Sequence, residues 1–145
     1  MAAKDFFTDI QQKSIVLAIE NAELNTSGEI RVHLESKCKG EPKTRAIEVF
    51  EQLKMHETAL RNGVLFYLAT DDRKFAIIGD EGINNLVGDL FWDDIRNLML
   101  LEFKKEQFSV GLCQGIELAG LKLKTHFPHQ KDDQNELTND ISFAE

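Results

Sequence analysis

The chain has 145 residues, one domain's worth, and its 42% hydrophobic and 29% charged residues can bury a core without staples. Its 17 Lys and Arg against 25 Asp and Glu give a formal net charge of −8, which excludes the clustered positive footprint of a nucleic-acid binder. Cys38 and Cys113 cannot build a disulfide framework, and neither stands in a Cys-x-x-Cys or Cys/His cluster. No apolar run approaches the roughly 20 residues of a membrane span, and Met1 to Asp5 leads into no signal-peptide core. The expectation is a cytoplasmic protein with no membrane span.

Thr8 and Gln11 have capping-box spacing, with a hydroxyl at the cap and an amide three residues on. Ile10, Ile15, Val16, Ile19 and Ala22 then repeat at helical spacing, and Asn25-Thr26-Ser27-Gly28 ends that helix. From Glu29 to Glu35 the period changes to strict alternation, which puts Ile30, Val32 and Leu34 on one face of a half-buried strand. Pro42 suits the first turn of a second helix, whose stripe is Ala46, Ile47, Val49, Phe50, Leu53 and Met55. Val64 to Ala69 is apolar on both faces, the mark of a central strand covered by helices on two sides. A turn at Thr70–Lys74 leads into Phe75–Ile78, so strands two and three form an antiparallel hairpin. Strands one and two, joined through a helix, are parallel with a right-handed crossover.

An acidic, glycine-bracketed loop, Gly79-Asp80-Glu81-Gly82, follows. A helix from Asp89 carries Phe91, Trp92, Ile95, Leu98, Met99 and Phe103 inward. In the last helix, from Phe108, Gly111, Gly115 and Ala119 recur every four residues, a pattern that lets another backbone approach closely. Pro128 ends the domain, and His129–Glu145 reads as an acidic, mobile tail. The predicted architecture is α/β, a three-layer α/β/α sandwich around a small mixed sheet, with the domain at 1–128 and the tail at 129–145.

That topology brings three loops to one end of the sheet: Thr26–Glu29, Arg61–Gly63 and Gly79–Gly82. Glu29, Asn62, Asp80 and Glu81 would converge there, a set of hard oxygen donors with flexible glycine spacing that suits calcium or magnesium. The alternative is a solvated acidic turn. Asp71-Asp72 fits a hairpin turn, Asp93 complements its helix dipole, and Asp94 could lean toward the site. His33 and His56 read as structural or solvated residues, and Cys113 as core. Cys38, in a charged loop, could be reactive. Ser27 lacks the Gly-x-Ser-x-Gly setting of a serine nucleophile, and the acidic loop lacks the Lys-Ser/Thr of a phosphate-binding loop.

Ser27-Gly28-Glu29-Ile30, Arg61-Asn62-Gly63-Val64-Leu65 and Asp72-Arg73-Lys74-Phe75-Ala76-Ile77-Ile78-Gly79-Asp80 together resemble the TPM domain. The likeness continues through Phe91-Trp92 and Phe108-Ser109-Val110-Gly111-Leu112 to His126-Phe127-Pro128, covering about residues 5–128. This resemblance implies an α/β/α sandwich with a site at the strand-end loops. It implies binding of a divalent cation, calcium most often with magnesium or manganese as substitutes, and a possible weak acid-phosphatase activity. The common family run Gly-Tyr-Gly-Leu-Glu-Gly stands here as Gly79-Asp80-Glu81-Gly82-Ile83-Asn84. Glu29, Asn62, Asp80 and Glu81 are carried over as metal-ligand candidates, with Asp94 and Asp71 behind them. The competing function is a non-enzymatic interaction or assembly module with a protein partner, in which Leu137, Ile141 and Phe143 of the tail dock as a short motif.

Overall fold

The capping box at Thr8 forms: its hydroxyl accepts the Gln11 N–H at 3.1 Å, and the Gln11 side chain accepts the Thr8 N–H at 2.9 Å. It launches α1 (Asp9–Glu23). The computed structural model describes residues 1–130 and 135–144. After α1 come β1 (Glu29–Glu35), α2 (Pro42–Gln52), β2 (Gly63–Ala69), β3 (Lys74–Gly79), α3 (Glu81–Asn84), α4 (Asp89–Phe103), α5 (Phe108–Leu123) and β4 (Ser142–Phe143). The sheet order is β3-β2-β1-β4. As expected, β1 and β2 are parallel and β2 and β3 antiparallel. The short helix α3 stands where the sequence reads as loop, and β4, parallel to β1, is a strand the sequence does not announce.

Two cores flank the sheet because strand side chains alternate. Ile30, Val32 and Leu34 of β1 join Val64, Phe66 and Leu68 of β2 against α1, α4 and α5. Leu65, Tyr67 and Ala69 of β2 face Ala46, Val49 and Phe50 of α2 on the other side. The small residues of α5 serve the first layer. A Cβ at Gly115 would lie 2.6 Å from Met99 Sδ, and one at Gly111 2.5 Å from the Phe103 ring, so α4 can lie directly on α5. Gly115→Val should therefore overpack this contact and lower stability by about 1–3 kcal/mol in thermal melts. Met99→Ala in the same chain should return part of that loss, and a loss it leaves untouched would contradict the contact.

Some expectations are corrected. Ile10 is 77% exposed and Ile47 is 43% exposed, although both sit on the apolar stripes of their helices. β1 is buried at every position rather than on one face. Its polar row, Glu29, Arg31, His33 and Glu35, is covered by α2 on one flank and by the C-terminal segment on the other. That segment also departs from the mobile tail expected at 129–145, of which 131–134 and 145 lie outside the described residues. Ala144 N–H donates to the Leu34 carbonyl at 3.0 Å, and Arg31 Nη2 donates to the Asp140 carbonyl at 3.2 Å. Leu137 and Ile141 pack on the two cores. The cause is the edge of β1, whose buried polar groups need partners. Among the described residues, no helix is long and apolar enough to cross a membrane.

Candidate functional site

The three loops do meet. Glu29 N–H donates to the Asn62 carbonyl at 3.2 Å, Asp80 N–H to the Gly63 carbonyl at 2.9 Å, and Gly82 N–H to the Arg61 carbonyl at 2.9 Å. Yet the predicted ligands divide into two groups. Arg61, held at φ 50, directs its guanidinium onto both oxygens of Asp80 at 2.8 and 2.9 Å and onto Glu81 at 2.9 Å. Asp80, only 6% exposed, also accepts the Glu81 N–H at 2.7 Å and caps α3. The acidic loop is thus neutralised by a fork that matches a carboxylate. Buried Asn62 spends its amide on Ser27 Oγ at 3.5 Å. Asp71 lies at the far end of the sheet, 3.9 Å from the Met1 amino group, and Asp94 is exposed on α4 and pairs with Lys122 at 3.0 Å. Neither joins the converging loops.

Glu29 belongs to a different cluster, with a partner the sequence reading missed. At the last turn of α1, Glu23 Oε2 accepts the Ile30 N–H at 3.0 Å, taking the place of a neighbouring strand at the open edge of β1. Glu29, 3% exposed, accepts the Glu136 N–H at 2.7 Å. The Glu29 and Asn139 side chains both lie against the Glu23 carboxyl. Burial pushes the Glu23 carboxyl up to about 8, the Ile30 N–H opposes this, and the Glu29 charge adds to it. Glu23 therefore keeps its proton at neutral pH. Beside them is a cavity of about 110 Å³ lined by Glu23, Thr26, Ser27, Glu29, His129 and Asn135. Among the described residues, no set of three or more His, Cys, Asp or Glu side chains could hold a metal ion. Any ion here would rest on two carboxylates plus neutral oxygens, a donor set that suits calcium and not zinc.

A second buried network occupies the other end of the β1 polar row. Glu35 accepts from Arg45 Nε and Nη2, both at 2.9 Å, and from the Tyr67 hydroxyl, while His33 Nε2 stands 3.2 Å away. His33 Nδ1 reaches Ser142 Oγ of β4 at 3.0 Å. Burial alone would raise the Glu35 carboxyl, but the bonds from Arg45, Tyr67 and His33 outweigh it and hold Glu35 below its usual range. Burial lowers His33, only partly offset by Glu35, so His33 stays neutral. A strict alternation of polar residues on one strand was the only signal for this network.

Residues 2–120 match the model of the TPM domain. The chain belongs to the TPM-domain family. The NMR structure of BA42 protein from the psychrophilic bacterium Bizionia argentinensis is 51% identical, with a TM-score of 0.92 over 97% of both chains. The N-terminal domain of the cg2496 protein from Corynebacterium glutamicum is 16% identical, with a TM-score of 0.65 over 96% of this chain and 80% of that one. The N-terminal domain of a P. gingivalis protein is 17% identical, with a TM-score of 0.68 over 87% and 82%. The last two share the fold. No curated protein matches the sequence. In this TPM domain the loop carrying Asp80 and Glu81 and the pair Glu23–Glu29 are separate electrostatic centres, the first closed by Arg61 and the second with the Glu23 carboxyl raised by burial and by the Glu29 charge.

Proposed function

We propose that this TPM domain binds a divalent cation, calcium by the chemistry of its donors, at the Glu23–Glu29 cavity. The observation that carries the reading is a half-buried carboxyl, Glu23, and a buried one, Glu29, beside a polar cavity, with Glu23 holding its proton up to about pH 8. A cation would take the place of that proton, and the hydroxyl and amide oxygens of Thr26, Ser27 and Asn135 suit a hard ion. Asp80 and Glu81 are weaker candidates than the sequence suggests, because Arg61 already satisfies both. Phosphatase chemistry has less support, since the same Arg61 is the guanidinium at that end of the sheet and its donors are occupied.

Thermal melting of the full chain with and without calcium tests this. At about a hundred times the dissociation constant, the ion adds roughly 2.7 kcal/mol, a rise of about 10 °C for a domain of this size. Glu29→Gln should abolish the rise, and Glu81→Gln should leave it. A calcium response lost in Glu81→Gln and kept in Glu29→Gln would return the site to the Asp80 loop. No response to calcium, magnesium or manganese would end the cation reading.

A further inference from the structure

A sheet edge leaves backbone groups unpaired, and proteins usually cover or guard it. This sheet covers one edge with β4, but among the described residues no strand lies beside β3. In an antiparallel ladder, bonded and unbonded pairs alternate. The Asp80 N–H bonds the Gly63 carbonyl, and the register pairs Ile78 with Leu65 and Ala76 with Tyr67. This phase turns the N–H and C=O groups of Phe75, Ile77 and Gly79 away from β2. The Gly79 carbonyl is taken by Asn84 Nδ2 at 2.7 Å. Phe75 and Ile77 instead face a cleft of about 690 Å³, walled by Pro42 and Ile47 on the α2 side and by Val87 and Trp92 on the α4 side. β3 carries neither proline nor bulge, and its one charge, Lys74, is turned back to the Cys38 and Gly40 carbonyls at 3.3 and 3.2 Å.

We propose that this cleft is a strand-addition site for an extended peptide segment, apolar at alternate positions and basic at its ends, which pairs its backbone with Phe75 and Ile77. Outward ladder groups are met by another extended backbone, with side-chain pockets giving selectivity. The recess lies between the start of α2 and the start of α4, along β3. A second copy would have to bring its own flanking helices into the same space. Charge decides the ends. Glu41 on one rim and Asp89 on the other make no ion pair among the described residues, whereas Asp93 is already paired with Arg96 at 2.7 Å. Lys43 is the counterweight among the lining residues, in a chain of net charge −8. The proposal stands apart from the cation site, which lies at the opposite edge of the sheet.

The test uses the full chain, ¹⁵N-labelled, with the synthetic peptide acetyl-Lys-Val-Thr-Val-Thr-Val-Lys-amide as probe. Its control has proline in place of the central valine. The expected result is saturable shifts of the Phe75 and Ile77 amides and at least tenfold slower hydrogen exchange there. The proline peptide should bind at least tenfold more weakly. Ile47→Lys, at an exposed position, should weaken binding at least fivefold with melting unchanged. Equal binding of the two peptides, or unmoved Phe75 and Ile77 amides at millimolar peptide, would overturn the proposal. So would slow exchange at both amides that appears on concentrating the protein alone, which would assign this edge to a second copy.

Discussion

Replacing Glu35 by alanine should lower stability by about 3–5 kcal/mol, or roughly 12–20 °C in melting temperature, the cost of leaving buried charge without its partner. The Glu35 side chain is 3% exposed and anchors Arg45, Tyr67 and His33 at once. Its removal strands a guanidinium and a phenol against the second core. Replacing three members together, Glu35→Leu with Arg45→Met and Tyr67→Phe, should recover part of the loss, because His33 Nε2 is then the group left without its Glu35 partner. A single-variant loss under about 1 kcal/mol would mean that solvent screens the network after all. The pH dependence has a defined sign. Glu35 is lowered in the folded chain, so its contribution is present above its unfolded value of 4.5 and is lost as pH falls through the lower folded value. His33 is lowered as well, so acidification below its unfolded 6.5 already favours the unfolded chain.

Calcium affinity should rise by about 50-fold between pH 6 and pH 8, because the ion must displace the proton that Glu23 keeps up to about 8. Without calcium the same group works against the fold as pH rises. Between 4.5 and about 8 the unfolded Glu23 has lost its proton while the folded one retains it, so stability declines across that window. Glu23→Gln should remove this decline, and its difference from the unmodified chain isolates Glu23 from the opposing trend of His33. Isothermal titration at both pH values checks the affinity. A pH-independent constant would place the ion away from Glu23.

Much of the fold was legible because its signals are local. Thr8 and Gln11 mark their helix by spacing, Val64–Ala69 marks a central strand by being apolar throughout, and the short turn before Phe75 fixes the hairpin. The convergence of the Glu29, Asn62 and Asp80 loops followed from that topology alone. Long-range pairing was not legible. β4 is two residues long, and only the unsatisfied edge of β1 gives it a place. Glu23 carries no signal in the sequence, since no local pattern shows that Ile30 would lack a strand partner. The Arg61 fork on Asp80 was hidden for the same reason, being a contact between loops 19 residues apart. Ile10 and Ile47 show the opposite failure, periodic positions that meet no neighbouring layer.

The central claim is that the cation belongs to Glu23 and Glu29 and not to the acidic loop. A calcium titration of the ¹⁵N-labelled chain at pH 8, read amide by amide, tests it most directly. The account predicts saturable shifts centred on Ser27, Ile30 and Glu136, the amides beside or bonded to the two carboxyls. Shifts confined to Arg61, Glu81 and Gly82, with Ile30 and Glu136 unmoved, would contradict it.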